Sequence, residues 1–129
     1  MHIQRRDLLA LFPAALVSTP LWAQAWPAKP IQLVHGFGAG GNADVIARLV
    51  AQKLQELIDK PVVVDIKSGA GGVIASNFVA KATPDGHSLI MLTGAHTVSA
   101  ALKKSLPYDP VKDFAFISTV TSFPFVIAV

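Results

Sequence analysis

Three stretches of this 129-residue sequence place glycine, hydroxyl and histidine residues where they could do chemistry: Gly36–Asp44, Ser68–Gly72 and Thr93–Thr97. Each follows an apolar run, and the first two lead into segments with helical character. Glycine lets a backbone approach a ligand closely, and the free N–H groups at a helix start attract anions. Two such loops side by side could hold a molecule with two carboxylates. Taken singly, the same glycines are equally suited to plain tight turns.

A second chemistry fits the first loop. Gly36-Phe37-Gly38-Ala39-Gly40-Gly41 satisfies G-x-G-x-x-G between a strand and a helix, and Asp65 ends the next strand, where a ribose-binding acid belongs. A dinucleotide-binding enzyme domain is therefore the rival reading. Against it, Asp44 puts a negative charge in the first helical turn, the second glycine loop has no role, and an exported chain lacks a nicotinamide supply. Asn42-Ala43 stand where a P-loop needs Lys-Ser/Thr. Gly86-His87-Ser88-Leu89-Ile90 begins like a nucleophile elbow but has Ile90 where glycine is required. His35, a strand-end residue, His87, expected in an exposed turn, and His96, in the third loop, lack metal-ligand spacing. No carboxylate pair is set for acid–base work. The residues imply no cofactor, no metal and no catalysis.

The elements that must position these loops alternate. Ile31–His35 reads as a short apolar strand. Asn42 to Ile58 places Ile46, Leu49, Val50, Leu54, Leu57 and Ile58 along one helical stripe, with Arg48, Gln52, Gln55 and Glu56 opposite. Pro61 ends that helix, because proline disfavours a helical residue before it. Val62–Ile66 is a β-branched strand, Val73 to about Ala82 a helix, Pro84-Asp85-Gly86 a turn, Ser88–Leu92 a third strand and Val98–Lys104 a short helix. Phe116–Thr121 and Phe123–Val129 read as two further strands. Strand–helix alternation with near-continuous apolar strands implies a parallel sheet covered on both faces, an α/β fold. In such a sheet all three loops share the carboxyl edge, where ligands bind.

Composition narrows the setting. Arg5 and Arg6, the apolar run Leu8–Trp22 and Ala23-Gln24-Ala25 make the charged, apolar and small regions of a signal peptide, with cleavage expected after Ala25. The apolar run holds Pro13 and Pro20 and is shorter than the ~20 residues of a bilayer span. The paired arginines leave either general or twin-arginine export open. Removing residues 1–25 takes away Arg5, Arg6 and Asp7, lowering the net charge from +3 to +2, and no basic face suggests nucleic acid. Without cysteine, an exported chain has no disulfides to rely on. The sequence stops inside the apolar run Phe123–Val129, so a partial domain is expected, either a fragment or a remnant that no longer functions.

Five motifs, in order, carry a resemblance: Trp26-Pro27-Ala28-Lys29-Pro30-Ile31, Gly40-Gly41-Asn42-Ala43-Asp44-Val45-Ile46-Ala47-Arg48, Gly69-Ala70-Gly71-Gly72, Pro84-Asp85-Gly86-His87 and Leu106-Pro107-Tyr108-Asp109-Pro110-Val111-Lys112-Asp113-Phe114. From Trp26 to Val129 the sequence resembles the Bug family, the substrate-binding components of tripartite tricarboxylate transporters. The resemblance implies a periplasmic-binding-protein type II-like fold with two α/β domains, of which this chain would hold a partial N-terminal domain over residues 26–129 and lack the second. It implies capture of a small organic anion, such as a di- or tricarboxylate, and delivery to membrane subunits. Ligand contacts carried over are Phe37, Gly41, Asn42 and Asp44 in the first loop, Gly69, Ala70 and Gly72 in the second, and Thr93, Gly94 and His96 in the third. Asp44 is expected to brace its loop by accepting backbone N–H groups rather than to touch an anion. His35-Gly36 departs from the Val-Pro common in the family, which bears on ligand identity. With one wall of a two-domain cleft, weak binding is expected.

Overall fold

The computed structural model describes residues 26–122; the expected signal segment and the second terminal strand, Phe123–Val129, lie outside them. The elements run β1 (Ile31–His35), α1 (Asn42–Ile58), β2 (Val62–Ile66), α2 (Val73–Ala80), β3 (Ser88–Met91) and α3 (Gly94–Leu102). A 3-10 turn, Ala70–Gly72, precedes α2. The strands form a parallel sheet in the order β2-β1-β3. Ile31 lies opposite Val62 and His35 opposite Ile66, while on the other side His35 pairs with Met91. Parallel neighbours cannot be joined by a hairpin, so each step between strands crosses over through a helix. The chain steps one way from β1 to β2 and back past β1 to β3. That reversal at β1 parts the loops beyond the carboxyl ends and opens a crevice there.

Strand alternation divides the core. Ile31 and Leu33 face α1 and pack with Ala47, Ala51 and Val62, flanked by Val50, Leu54 and Ile58. Val34, on the opposite face of β1, is fully buried, as is Ala75 of α2, which packs against β1 and β3. Alanine at 47 and 51 lets α1 lie close on the sheet. Burying a side chain the size of Ile31 contributes about 1.5–3 kcal/mol. The helix ends at Asp59, whose left-handed backbone (φ 51°) lets its N–H reach the Gln55 carbonyl at 3.0 Å.

The structure corrects several expectations. The apolar stripe of α1 is split: Leu49 (59% exposed) and Leu57 (81% exposed) turn away from the sheet, and the small residues Ala47 and Ala51 take the core positions. At 100° per residue, positions 47, 51, 54 and 58 share one face and 46, 49, 53 and 57 the next. The helix expected at Val98–Lys104 begins earlier, at Gly94, because Thr93 caps it. The helix expected to reach Ala82 stops at Ala80, and β3 stops one residue short of Leu92. Phe116–Thr121 is not a strand: no described strand pairs with it, and Phe116, Ile117 and Val120 are exposed. His87 is buried, not exposed. Its ring lies 5.8 Å from that of Trp26, and its Nδ1 is 3.1 Å from the Asp85 carbonyl. Trp26 Nε1 donates to the same carbonyl, and Lys29 pairs with the Asp85 carboxylate at 2.8 Å. The first and fourth motifs of the sequence are thus one cluster.

Candidate functional site

The first loop is built around a carboxylate. Asp44, in the first turn of α1, is buried, and its Oδ2 accepts the Gly40 N–H at 2.8 Å. Arg48, one helical turn on, lies with Nε 3.0 Å from Oδ1, and His35 Nε2 lies 3.1 Å from the same oxygen. The Gly40 N–H, the Arg48 guanidinium and the His35 ring outweigh burial and hold the Asp44 carboxyl at a pKa of about 2, below its usual 3.8. The Phe37 N–H donates to His35 Nδ1 at 3.4 Å, so the neutral ring carries its proton on Nε2 and donates it to Asp44. One histidine thereby holds the start of the loop directly and, through Asp44, its end.

The second loop meets the first backbone to backbone. A Cβ added to Gly36 would lie 2.5 Å from the Gly72 Cα, so only glycine at 36 permits the approach. Gly72 has φ +89°, and the Phe37 ring covers it. Ala70 holds a left-handed conformation (φ 50°) that a non-glycine residue adopts at a cost, and such outliers cluster at ligand sites. Its carbonyl accepts from Lys103 Nζ at the end of α3, at 3.3 Å.

The third stretch is a helix start. Thr93 Oγ1 accepts the Ala95 N–H at 3.3 Å, leaving the hydroxyl proton free. His96 Nε2 lies 2.9 Å from the Pro110 carbonyl, which can only accept, so Nε2 carries the proton. His96 Nδ1, 3.3 Å from Ser76 Oγ, then accepts from that hydroxyl in the neutral ring. The ring stacks on Tyr108 at 5.9 Å and meets Phe114 edge-on at 5.3 Å. With both nitrogens engaged, His96 enters the site as a wall.

These three parts line a small cleft at the carboxyl edge of the sheet, with a free volume of about 10 Å³. Of the residues expected at the site, Phe37, Gly72, Thr93 and His96 line it. Gly41, Asn42, Gly69, Ala70 and Gly94 stand exposed around the loops, and Asp44 lies buried beneath the first. Gly36, Ser76 and Tyr108 also line the cleft and were missed. For Gly36 the signal was its place directly after a strand. Ser76 sits inside a helix without any mark in its neighbours. Tyr108 belongs to the fifth motif, but only the fold carries that segment back against α3. No Lys, Arg, Asp or Glu lines the cleft, so its donors are hydroxyls and backbone amides.

The dinucleotide arrangement gains nothing from this geometry. The Gly40 amide, which such a loop would offer to a pyrophosphate, is taken by Asp44, and a phosphate there would meet that carboxylate. Asp65 is engaged by Gln32 Nε2 at 2.6 Å and Lys67 Nζ at 2.9 Å. Among the described residues no group of three or more His, Cys, Asp or Glu could hold a metal, and no helix is long and apolar enough to cross a membrane.

Comparison with known protein families matches residues 46–129 to the tripartite tricarboxylate transporter family receptor. The chain belongs to this family. Among its receptors, it is 41% identical over 128 residues to a UPF0065 protein of Bordetella bronchiseptica, which covers 98% of this chain and 38% of that protein. It is 37% identical over 113 residues to BugT of Bordetella pertussis, covering 86% of this chain and 35% of BugT. The periplasmic binding protein BugD matches in structure with a TM-score of 0.66 at 36% identity, over 69% of this chain and 30% of BugD. MatC from Rhodopseudomonas palustris with bound malate matches with a TM-score of 0.65 at 38% identity, over 69% of this chain and 31% of MatC. A further R. palustris protein, with adipate, scores 0.62 at 37% identity, over 66% of this chain and 29% of that one. The chain therefore spans under two-fifths of the length of these receptors, and its parallel α/β unit is one part of their fold.

Proposed function

We propose that the chain is the N-terminal part of a periplasmic receptor that captures a small organic anion, a di- or tricarboxylate, for a tripartite tricarboxylate-type transporter. The observation that carries this reading is the cleft itself, where three strand-end loops converge on neutral donors at the reversal of strand order. Malate and adipate, the ligands in two related structures, are both dicarboxylates and suit donors of this kind. Residues 1–25 act as a cleaved signal peptide, residues 26–129 belong to the first of two domains, and the membrane subunits of the transporter are the partner. The protein binds its ligand and does not transform it. Of the site residues, Phe37, Gly72, Thr93 and His96 surround the ligand. Gly41, Asn42, Gly69, Ala70 and Gly94 shape the loop ends toward the second domain, and Asp44 acts from beneath through Gly40.

Calorimetric titration of the full gene product, isolated from the periplasm, with malate and adipate tests the reading. Saturable one-site binding by a mature species beginning at Trp26 is expected. Absence of binding to either acid, or a species retaining residues 1–25, overturns the corresponding part.

A further inference from the structure

Among the described residues, three buried side-chain polar atoms have no hydrogen-bond partner, and the Tyr108 hydroxyl is the one whose residue lines the cleft. Tyr108 is only 7% exposed. Its ring is held on two sides, stacked on His96 and edge-on to Phe114 at 5.7 Å, so the phenol cannot swing out to find water. A buried hydroxyl left unpaired costs about 1–3 kcal/mol, and such groups are rare in folded proteins unless a function retains them. Phenylalanine would fill the same space without that cost.

The neighbouring hydroxyls show which ligand atom this one suits. Ser76 spends its proton on His96 Nδ1, and Thr93 has used an oxygen lone pair on the Ala95 N–H and keeps its proton. Thr93 and Tyr108 thus both line the cleft and each keeps an unspent hydroxyl proton, with no side-chain carboxylate or cation among the lining residues. Paired neutral donors without a competing acceptor match an oxygen that only accepts, such as that of a carboxylate. The free volume of the cleft, about 10 Å³, is on the scale of a single water, so the cleft has room for one ligand oxygen and not for a whole molecule.

We propose that Tyr108 is a ligand-contacting residue whose hydroxyl donates a hydrogen bond to a carboxylate oxygen of the bound organic anion, alongside that of Thr93. This deepens the receptor reading and rests on it. It also gives the Leu106-Pro107-Tyr108-Asp109-Pro110 segment a task. Asp109 Oδ1 accepts the Val111 and Lys112 N–H groups at 2.9 Å each, and the Pro110 carbonyl receives His96, so the turn after Tyr108 is fixed from both sides.

The test compares the full gene product with its Tyr108→Phe variant, using malate and adipate as probes. The expected result is a loss of affinity of roughly tenfold or more for whichever acid binds, since hydrogen bonds to charged groups are the strong ones. The melting temperature without ligand should stay level or rise, because an unpaired buried hydroxyl has been removed. Equal affinity in the two proteins overturns the proposal and leaves the receptor reading intact. A marked fall in ligand-free stability also overturns it, because the hydroxyl would then have a structural partner. Failure of the unmodified protein to bind either acid overturns the receptor reading and this proposal with it. Tyr108 is the one tyrosine of the 129-residue sequence. A 3-fluorotyrosine label there gives a 19F resonance that should move on ligand addition, and a resonance unmoved at saturation counts against contact even if Tyr108→Phe does not fold.

Discussion

His35 and Asp44 face each other at 3.1 Å, Nε2 to Oδ1, with the histidine fully buried and Asp44 nearly so. The pair ties the last residue of β1 to the first turn of α1 across the glycine loop. Each member also holds a loop amide, Phe37 N–H on His35 and Gly40 N–H on Asp44. A glycine-rich loop has the largest conformational entropy to lose on ordering. Here two side chains from its rigid flanks supply that order.

The ionised state of Asp44 should make the fold acid-sensitive in a definite window. Its carboxyl titrates at about 2 in the folded chain against an ordinary 3.8. A depressed folded value means that the stabilisation is fully present above about 4 and disappears as the pH falls toward about 2. Urea unfolding of the unmodified protein and Asp44→Asn between these pH values should show a gap that narrows on acidification. A gap constant with pH would mean that the charge of Asp44 contributes nothing.

His35→Phe keeps the ring-sized volume but removes both nitrogens. The Phe37 N–H and one Asp44 oxygen lose their partner, a cost of about 1–3 kcal/mol. Amide hydrogen exchange should accelerate at Phe37 and Gly40 more than in α2. His35→Gln, which can still donate to Asp44, should recover part of the loss. Equal exchange in the two variants would show that the nitrogens do not order the loop.

Gly36→Ala should be among the most damaging single-methyl additions in the chain. The new Cβ would sit 2.5 Å from the Gly72 Cα, and the contact is backbone, which cannot rotate away. Overpacking of this kind costs about 1–3 kcal/mol. It should also part the first two loops and, on the proposed receptor reading, weaken capture of the organic anion. Gly38→Ala, where a Cβ would meet nothing within 4 Å, is the control and should be near neutral. Similar melting temperatures for the two variants would contradict the close approach.

Truncations on the two faces of the sheet–helix layer should separate. Ile31→Ala empties a fully buried site at the centre of the core and should cost about 2–5 kcal/mol. Leu57→Ala removes a side chain that is 81% exposed, and its effect should stay within about 0.5 kcal/mol. Chemical denaturation of both variants checks the contrast. A large effect at Leu57 would show that this helix face is covered in the full protein.

The local elements were legible in the sequence where one signal dominated. The β-branched and apolar runs set β1 and β2, and Gly41 and Pro61 bracket α1, because these preferences act over a few residues and tertiary contacts reinforce them. The parallel order and the placing of all three loops on one edge also follow from the sequence, since strand–helix alternation admits few other topologies. Periodicity counted Leu49 and Leu57 as core, because it registers apolar character and not which neighbours arrive; the sheet chose Ala47 and Ala51. Only the tertiary structure decided the contacts between residues remote in sequence. Gly36 meets Gly72 because the loops after adjacent strands converge, and Tyr108 reaches the cleft because His96 of α3 holds the Pro110 carbonyl. His87 is buried because Trp26, at the other end of the unit, folds over it. Such contacts depend on where separate elements are carried in space, and a property of distant pairs leaves no periodic trace in either partner's own neighbourhood.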